Sequence, residues 1–101
     1  MSAELTLNAV CFPSDDVVAR EIEGELIIVP LVAGIGDSAD DLYTLNVTGR
    51  AIWQKLDGKR TLGEVATALT VEFEALQAEL EVDVLGFASE MARRGFLAAK
   101  D

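Results

Sequence analysis

Two runs rich in β-formers open the pattern of apolar and polar positions, in the segment DVVAREIEGELIIVPL. They flank Gly24, which suits a tight hairpin turn, and Pro30 should end the second run or place it at a sheet edge, because proline has no N–H to pair. After the loop VAGIGDSADD, the segment LYTL at 42–45 predicts a third short strand. Strands this few and short need helices to pack against.

After this third strand, the apolar residues no longer alternate with polar ones but recur at the spacing of a helix. Asn46 is a good N-cap, and the positions that follow it at i, i+3, i+4 and i+7 share one helical face. A second helix begins at the capping box TLGE, in which Thr61 caps and Glu64 reaches back. It repeats the same spacing of apolar residues. The two predicted core faces are Gly49, Ile52, Trp53 and Leu56, and then Leu62, Val65, Ala66 and Leu69.

One long helix and two shorter helices both fit residues 61–94, which contain no Pro. One apolar stripe stays in phase through them, but helices average about 11–12 residues, so a break is expected near 71–75. Gly95 ends the last helix, with Arg93 and Arg94 at its negative end. The stripe consists of Leu69, Phe73, Leu76, Leu80, Val84, Phe87 and Met91. The predicted fold class is therefore α+β, with three short N-terminal strands followed by three helices.

Length and composition indicate one soluble domain. The chain has 101 residues, half of them hydrophobic, and a formal charge of −10. No apolar run approaches the ~20 residues of a membrane helix, and the N-terminus lacks the pattern of a secretory signal, so a cytoplasmic location without membrane contact is expected. Residues 1–14 show no clear period, which predicts an N-terminal arm before a domain at 15–98.

Charge and residue types exclude several functions. The chain has no histidine and one cysteine, Cys11, so we expect no catalysis, no metal and no cofactor. Residues 1–45 hold nine acids and one base, whereas residues 46–101 hold nine acids and seven bases. Nucleic acid is disfavoured, because its backbone needs a basic surface. A basic or neutral peptide is a compatible partner.

Several motifs together resemble the PqqD family, whose members are also called RiPP recognition elements. They are VVAREIEGELIIV, LYTLN, Gly49, IW at 52–53, LDG at 56–58, TL at 61–62, VA at 65–66, DV at 83–84 and RGFL at 94–97. The similarity spans roughly residues 16–98. It implies a fold similar to a winged helix-turn-helix and a non-catalytic protein that binds the leader segment of a ribosomally made precursor peptide.

The resemblance also implies partners and a site. The leader would add a strand beside the third strand, lie against the third helix, and be presented to a modifying enzyme, most simply a radical SAM protein as in PQQ biosynthesis. We also allow for a homodimer. The long loop at 32–41 and residues 1–13 depart from the family pattern.

The residues themselves are compatible with such a groove. The strand at 42–45 has no Pro or Lys to block its edge, and the last helix has a small apolar flank beside its core face. Alternatively, the strand is covered and the flank is core; Trp53, Asn46 and the two arginines have structural explanations as well. The predicted peptide-binding residues are Leu42, Tyr43, Thr44, Leu45, Ala78, Leu85, Ser89 and Ala92.

A winged-helix transcription regulator is the alternative function, because the order of helices fits it. The second helix argues against this function, since Glu64, Glu72 and Glu74 occur with no Lys or Arg between Thr61 and Ala75.

Overall fold

Three helices and two small antiparallel sheets make up the computed structural model, which describes residues 5–31 and 43–100. Strands come before and after the helices, so the predicted α+β class is confirmed. In chain order the elements are β1 (Val10–Pro13), β2 (Val17–Ile22), β3 (Glu25–Pro30), β4 (Tyr43–Leu45), α1 (Val47–Lys55), α2 (Leu62–Phe73), α3 (Gln77–Arg93) and β5 (Leu97–Lys100).

The larger sheet has the order β2-β3-β4 and contains the three predicted strands. Glu23 and Gly24 form the turn between β2 and β3, with φ values of 53° and 83°. Positive φ at both central residues is typical of the tight type I′ hairpin, so the turn predicted at Gly24 is confirmed. Pro30 is the last residue of β3, as expected for a residue without an N–H.

Local caps start the first two helices where the sequence predicted them. The Asn46 side-chain oxygen accepts a hydrogen bond from the Gly49 N–H at 2.7 Å. At α2, the Thr61 hydroxyl accepts from the Glu64 N–H at 3.1 Å and the Glu64 carboxylate accepts from the Thr61 N–H at 2.8 Å. Both predicted core faces are buried, including Trp53 at 6% exposure.

The break between α2 and α3 falls inside the predicted interval. α2 ends at Phe73, and Glu74 takes a left-handed conformation with φ 51°. Leu76, which the sequence placed on the continuous apolar stripe, is 70% exposed. It precedes the first residue of α3, so it lies in the break and does not share the helical face.

The smaller sheet, β1 paired with β5, was missed by the sequence analysis. Residues 1–14 were predicted to be an arm, yet Cys11 in β1 is fully buried. Backbone carbonyls of this segment also cap α2, because Ala9 accepts from the Leu62 N–H and Leu7 from the Gly63 N–H, each at 2.9 Å. β1 is short and its partner is distant in the chain, so no local period reveals it. The domain boundary at residue 15 stays a prediction.

The core lies between the helices and the inner faces of both sheets. All of the buried residues in the described part of the chain are apolar, and none is polar or charged. Among them, Ile28, Ile52, Leu62, Leu69, Val84, Met91 and Phe96 are almost completely inaccessible. An apolar core of this kind stabilises the fold but provides no reactive side chain.

Candidate functional site

β4 is an edge strand of the larger sheet. It pairs on one side with β3, in the register Leu26 with Leu45 and Ile28 with Tyr43, and no other described strand pairs with it. In an antiparallel pair, successive residues direct both backbone groups alternately toward the partner and away from it. Within the three residues of β4, at least one N–H and one C=O therefore point away from β3.

The side chains of β4 alternate between the core and the solvent. Thr44 is exposed, Leu45 is buried and Tyr43 is half-buried. Leu42, the first residue of the predicted strand, lies outside the described residues. Since the inward side chains anchor β4 on the core, its edge is held in place, and no described strand pairs with its outer backbone groups.

Aromatic and cationic groups surround the Tyr43 end of β4. The ring of Phe96 meets the Tyr43 ring edge-on, with centroids 6.1 Å apart and an interplanar angle of 73°. The guanidinium carbon of Arg94 lies 4.8 Å from the Tyr43 ring centroid. These contacts attach the end of α3 to β4, because Arg94 is the last residue of the helix region and Phe96 follows two residues later.

Glu90 holds the two arginines at this end of α3. The Arg94 Nε donates to Glu90 Oε2 at 2.8 Å, and Arg93 donates to Glu90 Oε1. A hydrogen bond from Arg93 and a weaker contribution from Arg94 keep the pKa of Glu90 below its usual range. Glu90 is therefore charged at neutral pH and orients Arg94 beside the Tyr43 ring.

At the other end of β4, a recess of about 300 Å³ separates the start of α1 from α3. It forms where Gly49 faces Phe87, since a Cβ at Gly49 would stand only 3.2 Å from Phe87 Cε1 and 3.6 Å from Leu45 Cβ. The recess is lined by Asn46, Thr48, Gly49, Ile52, Asp83 and Phe87.

The α3 residues beside β4 and α1 form a single flank of the helix. Asp83, Phe87 and Glu90 lie within about 40° of Arg94 around the axis, at roughly 100° per residue. Phe87 contacts the α1 side and Arg94 contacts Tyr43, so this flank runs along β4. We call Asp83, Phe87, Glu90 and Arg94 the β4-facing flank, and the space between it and the edge of β4 the β4 groove.

The small apolar stripe predicted from the sequence lies on a different side of α3 from the β4-facing flank. Ala78, Leu85, Ser89 and Ala92, here called the small-residue flank, lie about 140–180° around the helix from Arg94. Leu85 and Ala92 are half-buried against the core, whereas Ala78 and Ser89 are exposed. Whether any of the four contacts a peptide stays a prediction.

Sequence reasoning missed the β4-facing flank for an identifiable reason. Spacing along a helix gives the angle between two side chains, but it does not say which angle faces a given strand. The sequence analysis assigned Phe87 to the apolar stripe that forms the core. Phe87 is in fact half-buried, which is the exposure expected of a side chain at the rim of a groove.

A larger recess, of about 490 Å³, opens on another face of α1, between the β2–β3 turn and the end of α2. Arg50 borders it, donating to the Gly24 carbonyl at 2.8 Å and to Glu21 at 2.9 Å. The Arg50 and Glu21 side chains thus join the β2–β3 hairpin to α1. Val47 and Phe73 contribute apolar surface to this recess.

The site provides binding surface and few groups suited to catalysis. Among the described residues, no group of three or more His, Cys, Asp or Glu side chains is placed to hold a metal ion. Burial raises the pKa of the Cys11 thiol, so Cys11 is a neutral core residue at pH 7 and a poor nucleophile. Within the same ranges, no helix is long and apolar enough to cross a membrane.

Comparison with known proteins gives a family and a fold. The family model described as Coenzyme PQQ synthesis protein D (PqqD) matches residues 28–97, which is more than half of the chain. The match includes β4, all three helices and the second half of β3. Comparison with curated proteins gives no match.

Three solved structures share the fold at low sequence identity. TbiB1 in complex with the TbiA(β) leader peptide has a TM-score of 0.71 at 23% identity, covering 85% of this chain and 93% of that one. Lasso peptide synthetase B1 complexed with the leader peptide has a TM-score of 0.75 at 18%, covering 89% and 99%. The PqqD truncation of Methylobacterium extorquens PqqCD, described as a functional, stand-alone RiPP recognition element, has a TM-score of 0.73 at 19%, covering 93% and 94%.

Proposed function

This chain belongs to the PqqD family, and we propose that it binds the leader segment of a ribosomally made precursor peptide as an added strand along β4. The observation that supports this function most directly is the unpaired edge of β4 beside a flank of α3. Two of the structural neighbours are complexes with leader peptides, and the third is a stand-alone recognition element.

Backbone pairing supplies affinity in this mode of binding. An extended peptide satisfies the outward N–H and C=O groups of an edge strand, while pockets for alternate side chains provide specificity. β4 offers this edge without a Pro or a Lys to obstruct it. Leu45 and Tyr43 anchor the strand on the core, so little ordering of the protein opposes binding.

We propose the β4-facing flank as the second wall of the peptide site. Phe87 provides apolar surface near the middle of the groove, and Arg94 stands over Tyr43 at one end. The small-residue flank predicted from the sequence remains the competing wall. The two alternatives differ by roughly half a turn of α3, so matched substitutions can separate them.

The bound leader would be presented to a separate modifying enzyme, for which a radical SAM protein is our first candidate. The chain itself is proposed to be non-catalytic, to need no cofactor and to act in the cytoplasm. The residues of the β4 groove are proposed to position a peptide, and among the described residues none of them forms a nucleophile–base pair. A homodimer stays a prediction.

The alternative of a DNA-binding regulator has less support. The exposed side of α2 has Glu64 and Glu72, and the described part of that helix contains no Lys or Arg. Phosphate contacts in DNA complexes come mainly from Arg, Lys and helix N-termini. An acidic helix in the recognition position would repel the duplex.

Calorimetric titration with the leader segment of a candidate precursor peptide tests the proposal. Scanning N-methylation of the leader should abolish binding at every second position within the paired segment, because an added strand directs alternate N–H groups to its neighbour. Loss without a period of two, or no binding at all, would contradict strand addition.

Two matched side-chain truncations test whether the β4-facing flank or the small-residue flank of α3 contacts the peptide. Phe87→Ala and Leu85→Ala each remove a half-buried apolar side chain from opposite flanks of α3. We expect Phe87→Ala to weaken leader binding about tenfold, equivalent to about 1.4 kcal/mol, and Leu85→Ala to change it less than about twofold. The reverse result would restore the small-residue flank as the wall. Circular dichroism of both variants checks that the fold is kept.

A further inference from the structure

The recess at the end of β4 has the shape of a subsite for one side chain of the bound peptide. Asn46 follows Leu45 directly, and Gly49 lies against Leu45 and Phe87. A strand advances about 3.3 Å per residue, so a peptide paired with β4 reaches the mouth of the recess within one or two residues of its paired segment. The volume of about 300 Å³ is enough for a long side chain.

The lining of the recess combines the apolar Ile52 and Phe87 with the polar Asn46 and Thr48 and one charged group, Asp83. Ile52 is buried at the base, and the half-buried ring of Phe87 forms one side. Asp83 is exposed at the rim and has no ion-pair partner among the described residues. Among the residues that the structure describes, no Lys or Arg lines the recess.

Lys and Arg are the side chains that match this lining. Their aliphatic stems pack on apolar surface while the charged head stays at the rim, and a cation near the face of an aromatic ring gains a further attraction. From this match we infer that the recess binds a Lys or Arg side chain of the peptide, with its head beside Asp83. The inference rests on the proposed function and adds the chemical identity of one leader residue.

Two electrostatic effects act on a cation at this place. The start of α1 borders the recess and has a partial positive charge of about one half, which opposes a cation. The first turn of α1 contains no acidic residue, so Asp83 from α3 supplies the full negative charge that outweighs it. The net charge of −10 also favours approach of a basic segment.

The Asp83 carboxylate is the main hydrogen-bond acceptor that the recess offers to a ligand, because the Asn46 side-chain oxygen is already engaged. Its side-chain oxygen already accepts from the Gly49 N–H at 2.7 Å, as the cap of α1. An acidic peptide side chain would meet Asp83 at close range, and an apolar one would leave the rim carboxylate without a partner. A basic residue is therefore favoured over both.

Selection from a displayed library of random twelve-residue peptides tests the inference. The wild-type protein should enrich peptides with Lys or Arg at one position next to the paired segment. Asp83→Lys should change the preference at that position to Asp or Glu while the remaining motif is kept. Glu79→Lys, one helical turn away and outside the recess, reverses the same charge and should keep the wild-type motif.

Calorimetric titration of a selected peptide measures how much Asp83 contributes to its affinity. Asp83→Asn should weaken its binding about three- to fivefold at low salt, and Glu79→Gln should leave it unchanged. The inference is overturned if the wild-type motif has no basic position, or if Asp83→Lys selects the same motif as wild type. If wild type enriches no extended peptide, the proposed function fails as well, so the two failures are distinct.

Discussion

Gly49→Ala tests the close approach of α1 and α3 that shapes the recess. A Cβ at this position would stand 3.2 Å from the Asn46 side-chain oxygen and 3.2 Å from Phe87 Cε1. Carbon pairs pack best at about 3.5–4.0 Å, so both neighbours must move. Asn46 is the more sensitive of the two, because the same oxygen caps α1 through the Gly49 N–H.

Three effects of known size compete in this variant. Alanine in place of glycine gains up to about 1 kcal/mol of helix propensity. A weakened N-cap costs about 0.5–2 kcal/mol, and overpacking at a tight contact costs about 1–3 kcal/mol. The losses exceed the gain, so we expect Gly49→Ala to lower the free energy of unfolding by about 1–3 kcal/mol.

Gly86→Ala is the matched control. Gly86 also lies within a helix, but a Cβ there would have no heavy atom within 4 Å. Only the propensity gain applies, so this variant should be more stable than wild type by about 0.5–1 kcal/mol.

Urea denaturation of both variants, followed by circular dichroism, measures the two changes with opposite signs expected. If Gly49→Ala were as stable as Gly86→Ala, α1 and α3 would not meet at Gly49 and the recess would not have the described form.

Three further predictions concern the core, acid stability and the thiol. Trp53→Ala should cost about 3–5 kcal/mol of a total of roughly 5–15 kcal/mol, and a urea midpoint close to wild type would show that Trp53 is not core. Arg93 and Arg94 lower the pKa of Glu90, and the Lys59 and Arg60 backbone N–H groups lower that of Asp57. The stability that these carboxylates contribute is present above their ordinary pKa values of 4.5 and 3.8 and is lost as pH falls through the lower native values. Unfolding at a series of acidic pH values should show a smaller loss in the Glu90→Gln, Asp57→Asn variant. Cys11 should react with iodoacetamide in the native protein far more slowly than in urea, and equal rates would contradict its burial.

The parts of the fold that depend on neighbouring residues could be predicted from the sequence. Asn46 and Thr61 mark their helices because a cap involves only the next three residues. Glu23 and Gly24 set the hairpin in the same local way. The break after Phe73 was predictable because β-branched and acidic residues there lower helix propensity.

The parts that depend on distant residues could not be predicted. The pairing of β1 with β5 joins two four-residue strands from opposite ends of the described chain, and neither has a period long enough to reveal it. The side of α3 that faces β4 is equally non-local. Periodicity gives the angle between Leu85 and Arg94, but which flank faces the strand depends on where β4 packs, and Arg94 lies over the Tyr43 ring of β4.

The smaller sheet fixes the position of the end of α3, although none of its residues belongs to the β4-facing flank. β5 continues from α3 through Phe96, whose ring is buried and meets Tyr43 edge-on. β1 pairs with β5, and its Cys11 carbonyl accepts from the Gly58 N–H at 3.1 Å, next to the start of α2. The end of α3 is therefore held from both sides, by Tyr43 and by the β1–β5 pair. Under the proposed function, an added strand needs the distance between β4 and α3 to be set before the peptide arrives. We therefore expect residues remote from the β4 groove to contribute to peptide affinity by keeping that distance fixed.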